Sequence, residues 1–167
     1  AEGFHHPPRH GALDARLLAQ FALGWTTERF FTSADELEPE DFAPRYQALV
    51  CRRAGREPLA YIVGGREFWG LRFEVAPGVL IPRPETEMVI EIALELFPAG
   101  DRRLTVADVC TGCGCIAVAL AHERTAAHVL ATDISEAAVQ IARRNVVSHG
   151  VADRVRFVPF VPEEEMF

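Results

Sequence analysis

The sequence lacks long apolar runs and clusters of basic residues. Its 167 residues include 24 acidic and 17 basic side chains, and the formal net charge is −7. No stretch approaches the roughly 20 apolar residues that a membrane-spanning helix needs. A surface with excess negative charge disfavours non-specific binding to nucleic acid and to anionic membranes. We therefore expect a globular protein that binds neither nucleic acid nor a membrane directly.

Cysteine is scarce, and its distribution is uneven. Cys110, Cys113 and Cys115 lie within six residues, and Cys51 stands apart. A chain of this length can bury a core without disulfides, so we expect reduced thiols and a cytoplasmic protein. The spacing is not that of two zinc-binding cysteine pairs; zinc or iron–sulfur ligation is the less favoured alternative, and we predict no metal site. The first eleven residues lack an apolar core, so we expect no signal peptide there.

The first 63 residues have the apolar spacing of a small helical domain. A one-sided apolar stripe predicts a helix over Leu13–Leu23, which Gly24 ends. After a polar connection, a second helix is predicted to begin near Asp41 and to end at Gly55, with basic residues in its last turn. Such a unit is too small to bury much surface alone.

The pattern changes to strand-like alternation on both sides of Gly70. Polar and apolar residues alternate over 67–69 and 71–75, which predicts a β-hairpin in a linker of residues 64–81. Pro84 suits the first turn of the helix that follows. The predicted apolar stripe of that helix consists of Met88, Val89, Ile92, Ala93 and Leu96.

Strands and helices alternate in the remainder of the chain. Alternation at this spacing predicts a parallel sheet with right-handed crossovers. We therefore predict an α/β, Rossmann-like fold, with residues 82–167 forming part of a cofactor-binding domain. The predicted strands are Leu104–Val109, His128–Thr132 and Val155–Phe160, and the predicted helices are Ile116–His122 and Ser135–His149, with Gly150 closing the second.

A glycine-containing loop follows the first of these strands. Asp108 stands near the strand end, and the loop continues through Cys110, Thr111, Gly112, Cys113 and Gly114. Glycine lets the backbone turn sharply and lets a ligand approach the main chain. Asp133 ends the next strand about 20 residues later, where a carboxylate can accept hydrogen bonds from a ribose diol. The loop and this acid together predict a nucleoside-containing ligand.

Two classes of nucleoside ligand are compatible with this pattern. The segment Gly112–Ala117 matches G-x-G-x-x-[GA], the pattern of dinucleotide-binding loops. Asp108 favours a ligand with a cationic ammonium and sulfonium over one with a pyrophosphate, so S-adenosyl-L-methionine is the preferred cofactor. A fragment of an NAD-binding oxidoreductase is the alternative enzyme. A non-catalytic module whose helical domain binds a protein partner is a third hypothesis.

Two segments upstream of the loop carry a more specific signature. One is Tyr61–Gly70, and the other is the run Pro82-Arg83-Pro84-Glu85-Thr86-Glu87. Together they resemble the HemK/PrmC family, the peptide chain release factor glutamine methyltransferases. The resemblance continues in residues 13–18, 52–58 and 131–135, so it covers most of the chain. It implies transfer of a methyl group from S-adenosyl-L-methionine to the side-chain amide of a glutamine in a release factor.

The resemblance also implies roles for individual residues. Residues 1–63 match the family's helical domain, which recognises the protein substrate. Cys110–Gly114 match the cofactor loop, Asp108 matches the acid at the end of the first strand, and Asp133 matches the acid that binds the ribose. The signature residues that match the active-site mouth are Arg83, Pro84, Thr86 and Glu87.

The sequence departs from the family pattern at two points. Cys110 stands where the family has glycine, and a positive φ would strain a residue that carries a Cβ. The sequence also contains no Asn-Pro-Pro-Tyr, the segment that in this family follows the fourth strand and binds the glutamine amide. We therefore assign no catalytic residue and expect a chain truncated after its third strand. The unpaired edge of such a half-sheet predicts self-association.

Overall fold

The structure, a computed structural model, describes residues 11–33, 35–100 and 103–158. The chain divides into two compact units, residues 1–63 and residues 64–167. None of the helices in the described ranges has the length and apolar character needed to cross a membrane. Pro159 and Phe160, the predicted end of the last strand, lie outside the described residues.

The first unit is helical throughout its regular structure. Helix α1 packs against α3, where Arg53 Nε donates to Asp14 Oδ2 at 2.7 Å. Both predicted helices are confirmed; the two shorter ones were not predicted, because 6 and 4 residues are too few to display a helical apolar period. The helices are α1 Gly11–Leu23, α2 Thr27–Thr32, α3 Phe42–Ala54 and α4 Leu59–Ile62.

The second unit begins with the predicted hairpin. Strands β1, Gly65–Phe68, and β2, Leu71–Glu74, pair antiparallel. The two turn residues, Trp69 and Gly70, have φ of +54° and +67°. Left-handed backbone at both turn positions gives the twist that a two-residue hairpin needs. Because its contacts lie with residues that follow, this hairpin is part of the second unit.

Helix α5, Glu87–Leu96, follows a short 3₁₀ turn at Pro84–Thr86. The prediction of its buried face is wrong: Ile90, which lies outside the predicted stripe, is fully buried in the core of the second unit. Apolar residues occur on every side of this helix, so their period does not select one face. The observed packing of α5 on α6, Cys115–Glu123, selects the Ile90 side. The predicted stripe instead has exposed fractions of 48–68% at Met88, Val89, Ile92 and Leu96.

A three-stranded parallel sheet forms the core of the second unit. Its strands are β3, Leu104–Val109; β4, Ala127–Thr132; and β5, Val155–Phe157, in the order β3-β4-β5. Helix α6 connects the first two strands, and α7, Glu136–Ser148, connects the last two. This arrangement confirms the predicted incomplete Rossmann-like α/β fold.

The two faces of this sheet differ in burial. Val129 and Ala131, on the face toward α6, are fully buried. Val109, on the opposite face, is 61% exposed. Within the described ranges, β3 pairs with β4 alone, so its other edge has no strand partner. An exposed face and an unpaired edge therefore meet at β3.

Candidate cofactor site

The carboxyl ends of β3 and β4 bring the predicted loop and the predicted acid together. Val109 is in register with Thr132, so residues that follow each strand emerge at the same end of the sheet. The Gly112 N–H donates to Asp133 Oδ2 at 2.8 Å. The other carboxylate oxygen, Oδ1, accepts from the Ser135 N–H at 2.9 Å. Asp133 is thus held in a fixed orientation directly beside the loop.

Asp108 lies beneath the loop and is only 7% exposed. Its Oδ2 accepts from the Thr111 hydroxyl at 2.6 Å and from the Ala117 N–H at 3.2 Å. Burial raises the pKa of Asp108, and the charge of nearby Asp133 adds to that increase, whereas the two hydrogen bonds oppose it. Two carboxyl groups at one end of the sheet provide an environment suited to a cation.

The loop backbone contains three residues with positive φ. The values are +63° at Cys110, +57° at Gly112 and +80° at Gly114. Cys110 therefore has the positive φ that would strain a residue carrying a Cβ. This left-handed geometry costs an L-residue about 1–2 kcal/mol, which glycine avoids. The same geometry turns the chain from β3 into α6 within a few residues.

The loop cysteines differ in exposure. Cys113 and Cys115 are buried, and Cys110 is exposed. The neighbouring Cys113 thiol and burial raise the pKa of Cys115, so this thiol is neutral near pH 7. Over the ranges that the structure describes, no group of three or more His, Cys, Asp or Glu residues is arranged to hold a metal ion.

The residues predicted to line the active-site mouth make no hydrogen bond to the loop among the described residues. Glu87 Oε1 accepts from the Trp69 N–H at 2.8 Å, so this carboxylate stabilises the hairpin turn. Arg83 and Pro84 are exposed, and among the residues that the structure describes no hydrogen bond or ion pair joins them or Thr86 to the loop. The segment that contacts the loop comes earlier in the chain, before Arg83.

Val79 forms that connection. Its Cγ1 lies 4.0 Å from the position that a Cβ on Gly112 would take. Val79 is 2% exposed, so the chain leading to the signature packs beside the glycine-containing loop. A Cβ at Gly112 would have room, but the backbone φ of +57° is unfavourable for L-residues.

Two residues of the site were not predicted from the sequence. Ile134 directly follows Asp133 and is 76% exposed, which places a large apolar side chain at the carboxyl end of β4, beside the loop. Asn145 is 2% exposed, and its Nδ2 donates to the Cys113 carbonyl at 2.8 Å. Asn145 follows Ala138 and Ala142 on the buried side of α7, and a polar residue at such a position is the signal that identifies it.

Two family models match the chain in succession. The PrmC N-terminal domain matches residues 9–64, and the methyltransferase small domain matches residues 86–163. The first match covers the helical unit, and the second covers α5, the loop and the parallel sheet.

Curated relatives match across both units. The release factor glutamine methyltransferase of Burkholderia pseudomallei is 49% identical over 134 residues, covering 80% of this chain and 47% of the relative. The protein of the same name from Cereibacter sphaeroides is 44% identical over 144 residues, covering 86% of this chain and 50% of the relative. The chain thus spans about half the length of the curated relatives it matches.

Solved structures of methyltransferases match parts of the chain. An RNA methyltransferase from Salinibacter ruber in complex with S-adenosyl-L-homocysteine is 29% identical, with a TM-score of 0.41, over 48% of this chain and 50% of that one. The human methyltransferase 10 domain containing protein is 25% identical, with a TM-score of 0.47, over 56% of this chain and 47% of that one.

Proposed function

We propose, from the premise that this chain belongs to the HemK/PrmC family, that it binds S-adenosyl-L-methionine at the loop Cys110–Gly114. The longer protein then methylates the side-chain amide of a glutamine in a peptide chain release factor. The observation that carries the proposal is the 2.8 Å hydrogen bond between the Gly112 N–H and Asp133 Oδ2, which holds the loop and the acid in one site.

Asp133 and Ile134 suit the nucleoside part of this cofactor. Each Asp133 oxygen accepts one backbone N–H and retains a further lone pair for a ribose hydroxyl. A carboxylate that accepts from both hydroxyls of a diol forms charge-assisted hydrogen bonds. The exposed Ile134 side chain offers apolar surface to a nucleobase next to that ribose.

Asp108 suits the cationic part. A buried carboxyl with a raised pKa gains stability as an anion when a positive group approaches it. Bound S-adenosyl-L-methionine supplies a methyl group on a sulfonium sulfur and an ammonium group. Asp108 and Asp133 would orient that cation, and Gly112 and Gly114 would let it approach the backbone closely.

A glutamine amide requires further groups for methylation. Its nitrogen is a weak nucleophile because its lone pair is delocalised into the carbonyl, so the enzyme must orient the amide and place hydrogen-bond acceptors on its N–H groups. The sequence contains no Asn-Pro-Pro-Tyr, and we propose that this chain alone binds the cofactor without completing the transfer. Arg83, Pro84, Thr86 and Glu87 are proposed to border the amide site. The helical unit, 1–63, is proposed to contact the release factor in the cytoplasm.

Calorimetric titration of the 167-residue chain tests the cofactor proposal. We expect heat of binding with S-adenosyl-L-homocysteine and none with NAD at the same concentration, because Asp108 disfavours a pyrophosphate. Heat with NAD alone would contradict the proposal and favour the oxidoreductase fragment. Retention of a release factor, together with no heat from either nucleoside, would favour the non-catalytic module.

We also propose that the unpaired edge of β3 associates with a second copy of the chain. Exposed N–H and C=O groups along an edge strand can pair with another strand, and exposed Val109 adds apolar surface there. Sedimentation velocity should show concentration-dependent dimers that Val109→Lys weakens. The control Val147→Lys adds the same charge at a 69%-exposed position on α7 and should leave the dimers intact. A monomer at all concentrations would contradict this proposal.

A further inference from the structure

Asn145 makes three side-chain hydrogen bonds, which use its amide oxygen and both amide N–H groups. Its Oδ1 accepts from the Glu74 N–H at 2.8 Å, and its Nδ2 donates to the Glu74 carbonyl at 3.0 Å. Nδ2 also donates its second hydrogen to the Cys113 carbonyl oxygen, at an N···O distance of 2.8 Å. This side chain therefore joins three elements: helix α7, hairpin strand β2 and the cofactor loop.

Only an amide satisfies this arrangement. The surrounding backbone presents one donor and two acceptors, and an amide offers the complementary one acceptor and two donors. An aspartate of the same shape would direct carboxylate oxygens at the carbonyls of Glu74 and Cys113. An alanine would leave these buried groups without partners, which is costly at 2% exposure.

Gly114, the loop residue that follows Cys113, packs closely against the same helix, α7. A Cβ at Gly114 would lie 3.1 Å from the Cβ of Ala142. Ala142 and Asn145 are three residues apart on α7 and so share a face. With Asp133 bound to Gly112, the three consecutive loop residues 112, 113 and 114 are each held by a different group.

We propose that Asn145 is a positioning residue for the cofactor site, an inference that rests on the proposed function. It holds the loop backbone through the Cys113 carbonyl in the shape that admits the cofactor, and it couples that shape to the hairpin through Glu74. Because Asn145 is only 2% exposed, it would act on the cofactor through the loop and not by direct contact. Cofactor affinity therefore depends on a side chain outside the cofactor site.

A matched pair of variants separates this role from simple support of the hairpin. Asn145→Asp keeps the size and shape of the side chain and removes both donors. Arg144→Ala breaks the neighbouring ion pair, in which Arg144 Nη2 lies 2.8 Å from Glu74 Oε1, but leaves the Cys113 carbonyl bonded. Both substitutions disturb the junction between α7 and the hairpin, and only the first disturbs the loop.

Two measurements on the full 167-residue chain then test the proposal. Titration with S-adenosyl-L-homocysteine should give at least about tenfold weaker binding for Asn145→Asp and a change within about twofold for Arg144→Ala, a tenfold change being about 1.4 kcal/mol. Amide hydrogen exchange without ligand should accelerate at residues 112–114 in Asn145→Asp only. Asn145→Ala serves as the second variant if the aspartate does not fold.

The outcomes distinguish the two proposals. Affinity and loop exchange unchanged in a folded Asn145 variant would overturn the positioning role, as would equal losses in Arg144→Ala. If the unmodified chain binds no S-adenosyl-L-homocysteine, the cofactor proposal fails, and hydrogen exchange still decides whether Asn145 holds the loop.

Discussion

Replacement of Asp133 by alanine is expected to weaken binding of S-adenosyl-L-homocysteine by about a hundredfold or more. A hydrogen bond to a charged group contributes about 1.5–3 kcal/mol, and two to a ribose diol therefore account for such a loss. The substitution also frees the Gly112 N–H from its 2.8 Å bond, so the loop loses one of its supports. Calorimetric titration measures the effect directly.

A control is needed because the variant also destabilises the start of α7. Ser135→Ala removes the N-cap, in which Ser135 Oγ accepts from the Ala138 N–H at 3.3 Å, and should cost about 1 kcal/mol of stability. It leaves the Asp133 carboxylate in place, so affinity should change little. A comparable loss of affinity in both variants would show that destabilisation, and not the carboxylate, explains the result.

A ligand without the ribose 2′-hydroxyl makes the assignment to Asp133 specific. The unmodified chain should bind 2′-deoxy-S-adenosylhomocysteine clearly more weakly than the parent ligand. Asp133→Ala should bind the two ligands about equally, because the acceptor for that hydroxyl is gone. Equal discrimination by both proteins would assign the ribose contact to another residue.

The sequence predicted those elements whose signals are local and repeated. The three strands, the three helices of the second unit and the hairpin were predicted because the alternation of strands with helices, the Ser135 cap and the turn at Gly70 each specify backbone geometry. The proximity of the loop to Asp133 was predicted for a related reason. The carboxyl ends of neighbouring parallel strands lie at the same edge of a sheet. The loop after β3 and Asp133 after β4 are therefore close together, independently of how the side chains pack.

The features that the sequence did not predict depend on tertiary contacts. The buried side of α5 was predicted wrongly because its apolar residues surround the helix, and the choice of Ile90 depends on where α6 lies. The role of Glu87 was not predicted either, since its carboxylate bonds the backbone of Trp69, 18 residues away. Asn145 contacts Glu74 at a separation of 71 residues, which no local pattern encodes.

The second large effect is expected at Gly114, where replacement by alanine should lower the free energy of unfolding by about 2–5 kcal/mol. The φ of +80° would strain an L-residue by about 1–2 kcal/mol. The new Cβ would also lie 3.1 Å from the Cβ and 3.3 Å from the Cα of Ala142, and overpacking of a tight core typically costs about 1–3 kcal/mol. Urea denaturation of the unliganded chain measures the change.

Gly112→Ala separates the two contributions at Gly114. Its φ of +57° carries a similar backbone strain, but the nearest heavy atom to a new Cβ is Val79 Cγ1 at 4.0 Å, an ordinary contact. We therefore expect a loss of only about 1–2 kcal/mol there. Adding Ala142→Gly to Gly114→Ala removes the closest clash, so the double variant should be destabilised less than the sum of its parts, although glycine within α7 costs about 1 kcal/mol. Equal losses at Gly112 and Gly114, or strict additivity in the double variant, would contradict close packing of the loop on α7 and leave the backbone φ as the reason for glycine at both positions.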